Sequence, residues 1–188
     1  MKRITFTIAF CTLLSTAAMA QVEWGLKAGP MLSRTHFSLG DTLTGFSDFQ
    51  ATFVGGGFVR IPLSTKLDLQ AELLYSTKGT EAFSEFNYIS VPLMVQYEFL
   101  PNLRIEAGAE VAYLLNNLYA ITPENDFDLG VNAGFAYDFM DRFTAGLRYN
   151  WGLLDTSRPL KSFGSTDRVF DPRETLHTLQ LTLGYRFR

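Results

Sequence analysis

Across residues 127–153 the chain alternates with a period of two. Phe127, Leu129, Val131, Ala133, Phe135, Tyr137 and Phe139 are interleaved with Asp128, Gly130, Asn132, Gly134, Ala136 and Asp138. After Met140, Asp141 and Arg142 the pattern resumes. Phe143, Ala145, Leu147, Tyr149, Trp151 and Leu153 alternate with Thr144, Gly146, Arg148, Asn150 and Gly152. Such a period places one apolar and one polar face on a β-strand. These runs exceed the roughly five or six residues usual for strands of globular sheets. They suit a tilted crossing of a bilayer, which takes about 9–11 residues.

The same alternation predicts six more strands, over 22–32, 49–61, 66–78, 88–99, 103–115 and 176–187. Gly55, Gly56 and Gly57 interrupt the second of these and predict a bend or bulge there. Connections alternate in length. Short ones fall at 62–65, 100–102 and 140–142, and long ones at 33–48, 79–87, 116–126 and 155–175. Pro123, Pro159 and Pro172 mark bends in the long ones. An even strand count lets the first strand meet the last antiparallel, which removes the open edges. The expected fold is all-β, an eight-stranded antiparallel up-and-down transmembrane β-barrel. Its short turns and both termini lie at one end and its long loops at the other.

Residues 1–20 have the pattern of a secretory signal peptide. Lys2 and Arg3 precede an apolar run, and Ala18-Met19-Ala20 forms a small-x-small cleavage site before Gln21. The apolar run is too short for a membrane anchor. The chain thus divides into a leader, 1–20, and a barrel domain, 21–188. Cleavage removes Cys11, the single cysteine, so disulfides and thiolate-metal sites are excluded. The 188-residue chain holds 16 Lys and Arg against 19 Asp and Glu. Loss of Lys2 and Arg3 leaves a net charge near −5, unsuited to a nucleic-acid partner.

Alternation alone does not say which face is outside; a soluble barrel would turn its apolar face inward. Three features argue for the inverted arrangement. Aromatic residues cap both ends of the apolar face: Trp24, Tyr97, Phe99, Phe139, Phe143, Tyr185 and Phe187 near the short turns, Tyr75, Tyr113, Phe127 and Trp151 near the long loops. Glycines concentrate on the polar face, as a narrow interior requires. The apolar face carries almost no charge. The polar face carries Arg60, Asp68, Glu72, Glu98, Arg104, Glu106, Glu110, Asp138, Arg148 and Arg186, with Glu98 expected opposite Arg104 and Arg60 opposite Asp68. Unpaired ions in a narrow lumen would be costly, so a network of neutralising pairs and a lumen without a continuous channel are expected. A proton or ion path is the alternative role for these groups.

No sequence signature of a hydrolase, nucleotide-binding loop or zinc site is present. No catalytic, cofactor or metal residue is therefore expected. His36 and His177 are the two histidines, both at the loop end. Ser157, Ser162, Asp155 and Asp171 lie near His177 in sequence but have no catalytic spacing. Rim histidines at the interface are the simpler reading. Phe37, Leu39, Leu43, Phe46 and Phe49 make the first long loop partly apolar, as packing over the barrel mouth or as a binding surface.

Three segments carry a family resemblance: Trp24-Gly-Leu-Lys-Ala-Gly29, Leu67-Asp-Leu-Gln-Ala-Glu-Leu-Leu-Tyr-Ser-Thr-Lys-Gly79 and Tyr88-Ile-Ser-Val-Pro-Leu-Met-Val-Gln-Tyr-Glu-Phe99. Together they resemble the outer-membrane β-barrel (porin-like, PorT-type) family of Bacteroidetes. The resemblance implies an eight-stranded barrel in the cell outer membrane and offers no catalytic residues to transfer. One named member contributes to a secretion system that exports surface proteins. The chain ends Tyr185-Arg-Phe-Arg188, with Phe187 as the aromatic anchor for recognition by the assembly machinery. The expected role is structural or interactive and non-enzymatic: a monomer with a closed lumen and surface-exposed loops. The alternatives are a component of a secretion or assembly complex and a lipid-modifying enzyme using His177. The expected partners are outer-membrane lipid or lipopolysaccharide, the barrel-assembly machinery during insertion, and a protein partner reached through the loops.

Overall fold

The computed structural model describes residues 22–39, 43–46, 49–80, 84–117, 127–154 and 172–188. Nine strands occur among them: β1 (Glu23–Leu39), β2 (Leu43–Phe46), β3 (Gln50–Pro62), β4 (Leu67–Thr80), β5 (Ser84–Leu100), β6 (Leu103–Asn117), β7 (Phe127–Phe139), β8 (Phe143–Gly152) and β9 (Pro172–Arg186). Eight form an antiparallel barrel in sequence order, closed where β1 pairs with β9. Closure satisfies backbone donors and acceptors that an open sheet would leave exposed, the condition for spanning a hydrocarbon layer.

The strands run further toward the loop end than the alternation predicts. β1 continues to Leu39, β5 begins at Ser84 and β9 begins at Pro172 rather than bending there. β2 was not predicted. It pairs with β1 at Leu39↔Leu43 through His36↔Phe46, above the point where β3 starts opposite Ser33. A stretch too short to show alternation thus extends the ladder.

The glycine triplet makes no bulge. Gly55, Gly56 and Gly57 pair in unbroken register with Ala28, Lys27 and Leu26 on one side and Tyr75, Leu74 and Leu73 on the other. Close approach requires the middle one: a Cβ on Gly56 would lie 2.0 Å from the Leu73 carbonyl oxygen. Register shifts fall elsewhere, in the β5–β6 pairing between Asn87 and Tyr88 and between Glu98 and Leu100.

The short turns are tight. Asn102 has φ 65°, following Pro101, as the second corner of a turn that needs a left-handed residue. Met140 and Asp141 have φ 50° and 56°. Hydrogen bonds lace this end together: Glu98 N–H to the Lys66 carbonyl (2.9 Å), Asp138 N–H to Asn102 (2.8 Å), Arg186 N–H to Arg142 (2.8 Å) and Phe187 N–H to Trp24 (2.9 Å).

Burial is inverted relative to a soluble protein. Arg60, Glu72, Gln96, Glu110, Asn132 and Arg148 are buried, while Leu73, Leu93, Val111, Phe135 and Leu181 are exposed. Water would not tolerate such a continuous apolar exterior; a hydrocarbon layer favours it. Small apolar clusters inside, Met31 with Val54 and Leu74 and Tyr88 with Ala112 and Leu114, sit toward the loop end.

Candidate functional site

The interior is the part of the molecule where chemistry concentrates. Alternation brings the polar side chains of eight strands to one axis, where they meet in three layers. Nearest the termini, Arg104 makes a two-pronged contact with Asp138, one prong at 2.8 Å. Asp138 also faces Arg60 at 3.7 Å and Arg186 at 3.9 Å, and it accepts from the Thr144 hydroxyl. Glu23 binds Arg60 and stands 3.1 Å from Arg186.

The middle layer centres on Arg148. Its Nη1 and Nη2 each donate to Glu72 at 2.8 Å, and its Nε donates to Glu106 at 2.8 Å. Lys27 reaches Glu72 at 3.0 Å, Gln70 donates to Glu72 at 2.6 Å, and Gln96 donates to Glu106 at 2.9 Å. Two cations thus face two carboxylates with their remaining lone pairs satisfied, the condition under which buried ions are tolerated.

The layer toward the loops holds Lys78 between Glu110 (3.5 Å) and Asp128 (3.8 Å), with its ammonium 5.1 Å above the Tyr88 ring. Asn132 donates to Glu110 at 3.0 Å and receives from Asn150 at 3.0 Å. A cavity of about 20 Å³ separates the first two layers, lined by Lys27, Arg60, Gln96 and Glu106 together with Phe58 and Ala136. It has room for a water or two.

The pairings differ from those expected across the hairpins. Arg60 stands opposite Gln70, and Asp68 stands opposite Pro62. The 63–66 connection, folded by Leu63 and Ser64 N–H bonds to the Leu67 carbonyl, shifts the register by two residues. Parity is preserved, so both side chains keep their face. Glu98 does oppose Arg104 in the ladder. Its carboxylate, however, accepts from the Asn102 N–H at 3.2 Å, and the Arg104 guanidinium turns to Asp138. Glu23, Lys27 and Asp128, which alternation puts on the polar face of their strands, join the interior, as does Lys78, whose inward parity on β4 is the signal that could have found it.

Aromatic side chains cluster at both ends of the outer wall. Phe187 packs on Trp24 (ring centroids 4.7 Å) and Tyr185 (5.4 Å); Phe143 packs on Tyr185 (5.2 Å) and Phe139 (5.8 Å). At the loop end Tyr113 meets Phe127 at 5.1 Å and Tyr149 meets Trp151 at 4.3 Å. Tyr75 and Tyr97 are exposed on the same wall.

His177 also lies on the outward parity, in register with Trp151 and Arg34. Its ring is 6.1 Å from Tyr149 and 6.3 Å from His36, and its Nε2 is 3.4 Å from the Thr175 hydroxyl. Ser157, Ser162, Asp155 and Asp171 lie outside the described residues, as do Pro123, Pro159 and the side chains of Phe37, Leu39, Leu43 and Phe46. No group of three or more His, Cys, Asp or Glu arranged to hold a metal occurs among the described residues.

The fold is shared with solved structures of low identity. Ail, the attachment invasion locus protein of Yersinia pestis, is 16% identical, with 89% of this chain and 99% of that chain covered and a TM-score of 0.52. Its complex with the heparin analogue sucrose octasulfate gives the same identity and coverage with a TM-score of 0.54. OprG of Pseudomonas aeruginosa is 12% identical over 88% of this chain and 96% of that one, with a TM-score of 0.49. None of the curated proteins matches the sequence. The family model for the outer membrane protein beta-barrel domain matches residues 17–158. With its closed eight-stranded barrel and apolar outer wall, the chain is a protein of the outer membrane and belongs to the outer membrane protein beta-barrel domain family.

Proposed function

We propose that this barrel is closed to solutes and acts without catalysis, as a structural or interaction protein presenting its long connections outside the cell. The observation that carries the reading is the Arg148 guanidinium, bound by Glu72 from one side and Glu106 from the other across the full width of the lumen. A small barrel whose interior is crossed by paired ions has no room for a continuous water column. The charged residues, Arg60, Glu72, Arg104, Glu106, Asp138, Arg148 and Arg186 among them, serve as a structural plug. The aromatic groups at the two ends of the wall serve as interfacial girdles. Residues 1–20 direct export and are removed, and the short turns with both termini face the periplasm. The barrel works as a monomer, inserted by the assembly machinery through its C-terminal aromatic segment.

Planar-bilayer recording of the purified protein tests the closed lumen. The expected result is no stable conductance step; reproducible steps overturn it. Lipopolysaccharide from a deletion strain tests the absence of catalysis: an unchanged profile is expected, and a lost lipid modification would favour an enzyme. The PorT-type reading, with a place in a secretion complex, draws on the three resembling segments. Crosslinking in intact cells that joins the loops to a secretion component would favour it over a stand-alone barrel.

A further inference from the structure

Gln96 of β5 points into the lumen with 1% of its surface exposed. Its Nε2 donates to Glu106 Oε2 at 2.9 Å, while its Oε1 is buried and has no hydrogen-bond partner. The carboxylate fixes which way the amide lies. Only the NH2 end can donate to Glu106, so the carbonyl end faces away from it. A buried acceptor without a donor is costly, and native interiors leave few of them.

Gln96 lines the cavity of about 20 Å³, and so do Lys27, Arg60, Glu106 and Thr182. A water needs roughly 10–15 Å³ of such space and two to four polar partners. Lys27 supplies a donor. Its ammonium carries three N–H groups, and among the described residues one of them is taken, by Glu72 at 3.0 Å. Thr182 adds a hydroxyl that both donates and accepts. The charges on the lining narrow the choice of occupant further. Lys27 and Arg60 repel a metal cation. The lone pairs of Gln96 Oε1 and the Glu106 carboxylate repel an anion, and neither kind of ion has a hydrogen to give to Gln96. Water alone accepts from an ammonium and donates to a carbonyl at once.

We propose that this cavity is a built water site, in which an ordered water accepts from the Lys27 ammonium and donates to Gln96 Oε1. The water completes the coordination of the cation that shares Glu72 with Arg148, so it belongs to the middle ion layer as much as the side chains do. Its second hydrogen has the Thr182 hydroxyl on the same lining to bond to. The site goes beyond the reading of the lumen as closed and stands independently of it, since it rests on one unpaired acceptor and the space beside it.

A crystal structure of the protein purified from outer membranes, at a resolution that shows ordered water, tests the site directly. The expected result is a density peak at about 2.7–3.2 Å from both Gln96 Oε1 and Lys27 Nζ. No such peak, or one that scatters anomalously after bromide replaces chloride in the crystal, overturns the proposal. Gly184 gives a second test. It lines the cavity, and a Cβ there would have its nearest neighbours at 3.6–3.7 Å, an ordinary contact. In a cavity without a water, Gly184→Ala would fill space and stiffen the unfolded chain, which stabilises. At a water site the methyl displaces the water and leaves Gln96 Oε1 unpaired. Gly184→Ala should therefore shift the unfolding equilibrium, read by urea in lipid vesicles, roughly tenfold toward the unfolded chain. In a Gln96→Met chain, which has no such acceptor, the same substitution should be neutral or stabilising. An unchanged or raised stability of Gly184→Ala in the wild-type chain, or an equal loss in both chains, overturns the proposal. If Gln96→Met does not fold, the density and the single variant decide.

Discussion

Arg148 and Glu72 are 76 positions apart in sequence and meet through two hydrogen bonds of 2.8 Å across the barrel axis. They belong to β8 and β4, strands that share no backbone pairing. The contact therefore joins opposite walls, which the ladder alone cannot do. Glu106 and Lys27 complete it from β6 and β1.

Removing the guanidinium alone strands two buried carboxylates with one ammonium. Arg148→Met should lower stability by about 3–5 kcal/mol, measured as urea unfolding in lipid vesicles. Adding Glu106→Gln to the same chain should recover part of that loss, because it leaves the Lys27 ammonium paired with the Glu72 carboxylate alone.

The outer wall responds to charge by depth. Leu93, midway along β5 and 51% exposed, should cost roughly 2–4 kcal/mol when replaced by Arg. In a barrel dissolved in water the same exposed substitution would be nearly neutral, so unfolding in vesicles distinguishes the two.

Two neighbouring glycines should behave differently. A Cβ at Gly56 would collide with the Leu73 backbone, at 2.0 Å from its oxygen, whereas at Gly57 the nearest atom is 3.7 Å away. Gly56→Ala should destabilise by about 1–3 kcal/mol. Gly57→Ala should be neutral or stabilising by up to about 1 kcal/mol, since it lowers the entropy of the unfolded chain.

Met140 holds a left-handed backbone at φ 50°, which costs a side-chain-bearing residue about 1–2 kcal/mol. Met140→Gly relieves that cost while loosening the unfolded chain. Stability should rise by roughly 0.5–1 kcal/mol, seen as a higher urea midpoint with unchanged slope.

How much of this was legible in sequence follows from which interactions are local. Parity is local: Phe135 or Arg148 takes its face from strand geometry, so the barrel, the inverted wall and the inward set could be read directly. Register is not. The Arg60–Asp68 expectation failed because two residues of turn slid β4 along β3 while parity survived. Partner choice across the lumen is less local still. Arg104 leaves Glu98, its ladder neighbour, for Asp138 of β7, a decision set by barrel closure and side-chain reach.

An apolar wall that meets lipid sets its aromatic ends at the two interfaces. The chain has two tryptophans, Trp24 and Trp151, at opposite ends of that wall and 52% and 46% exposed. Depth-dependent fluorescence quenching in vesicles of brominated lipids therefore reads both interfaces without any new probe; Trp24→Phe and Trp151→Phe separate the two signals. The account predicts that each indole is quenched by bromines near the headgroup, about 12 Å from the midplane, and is shielded from aqueous iodide. Full iodide quenching, with none from brominated lipid, would contradict it.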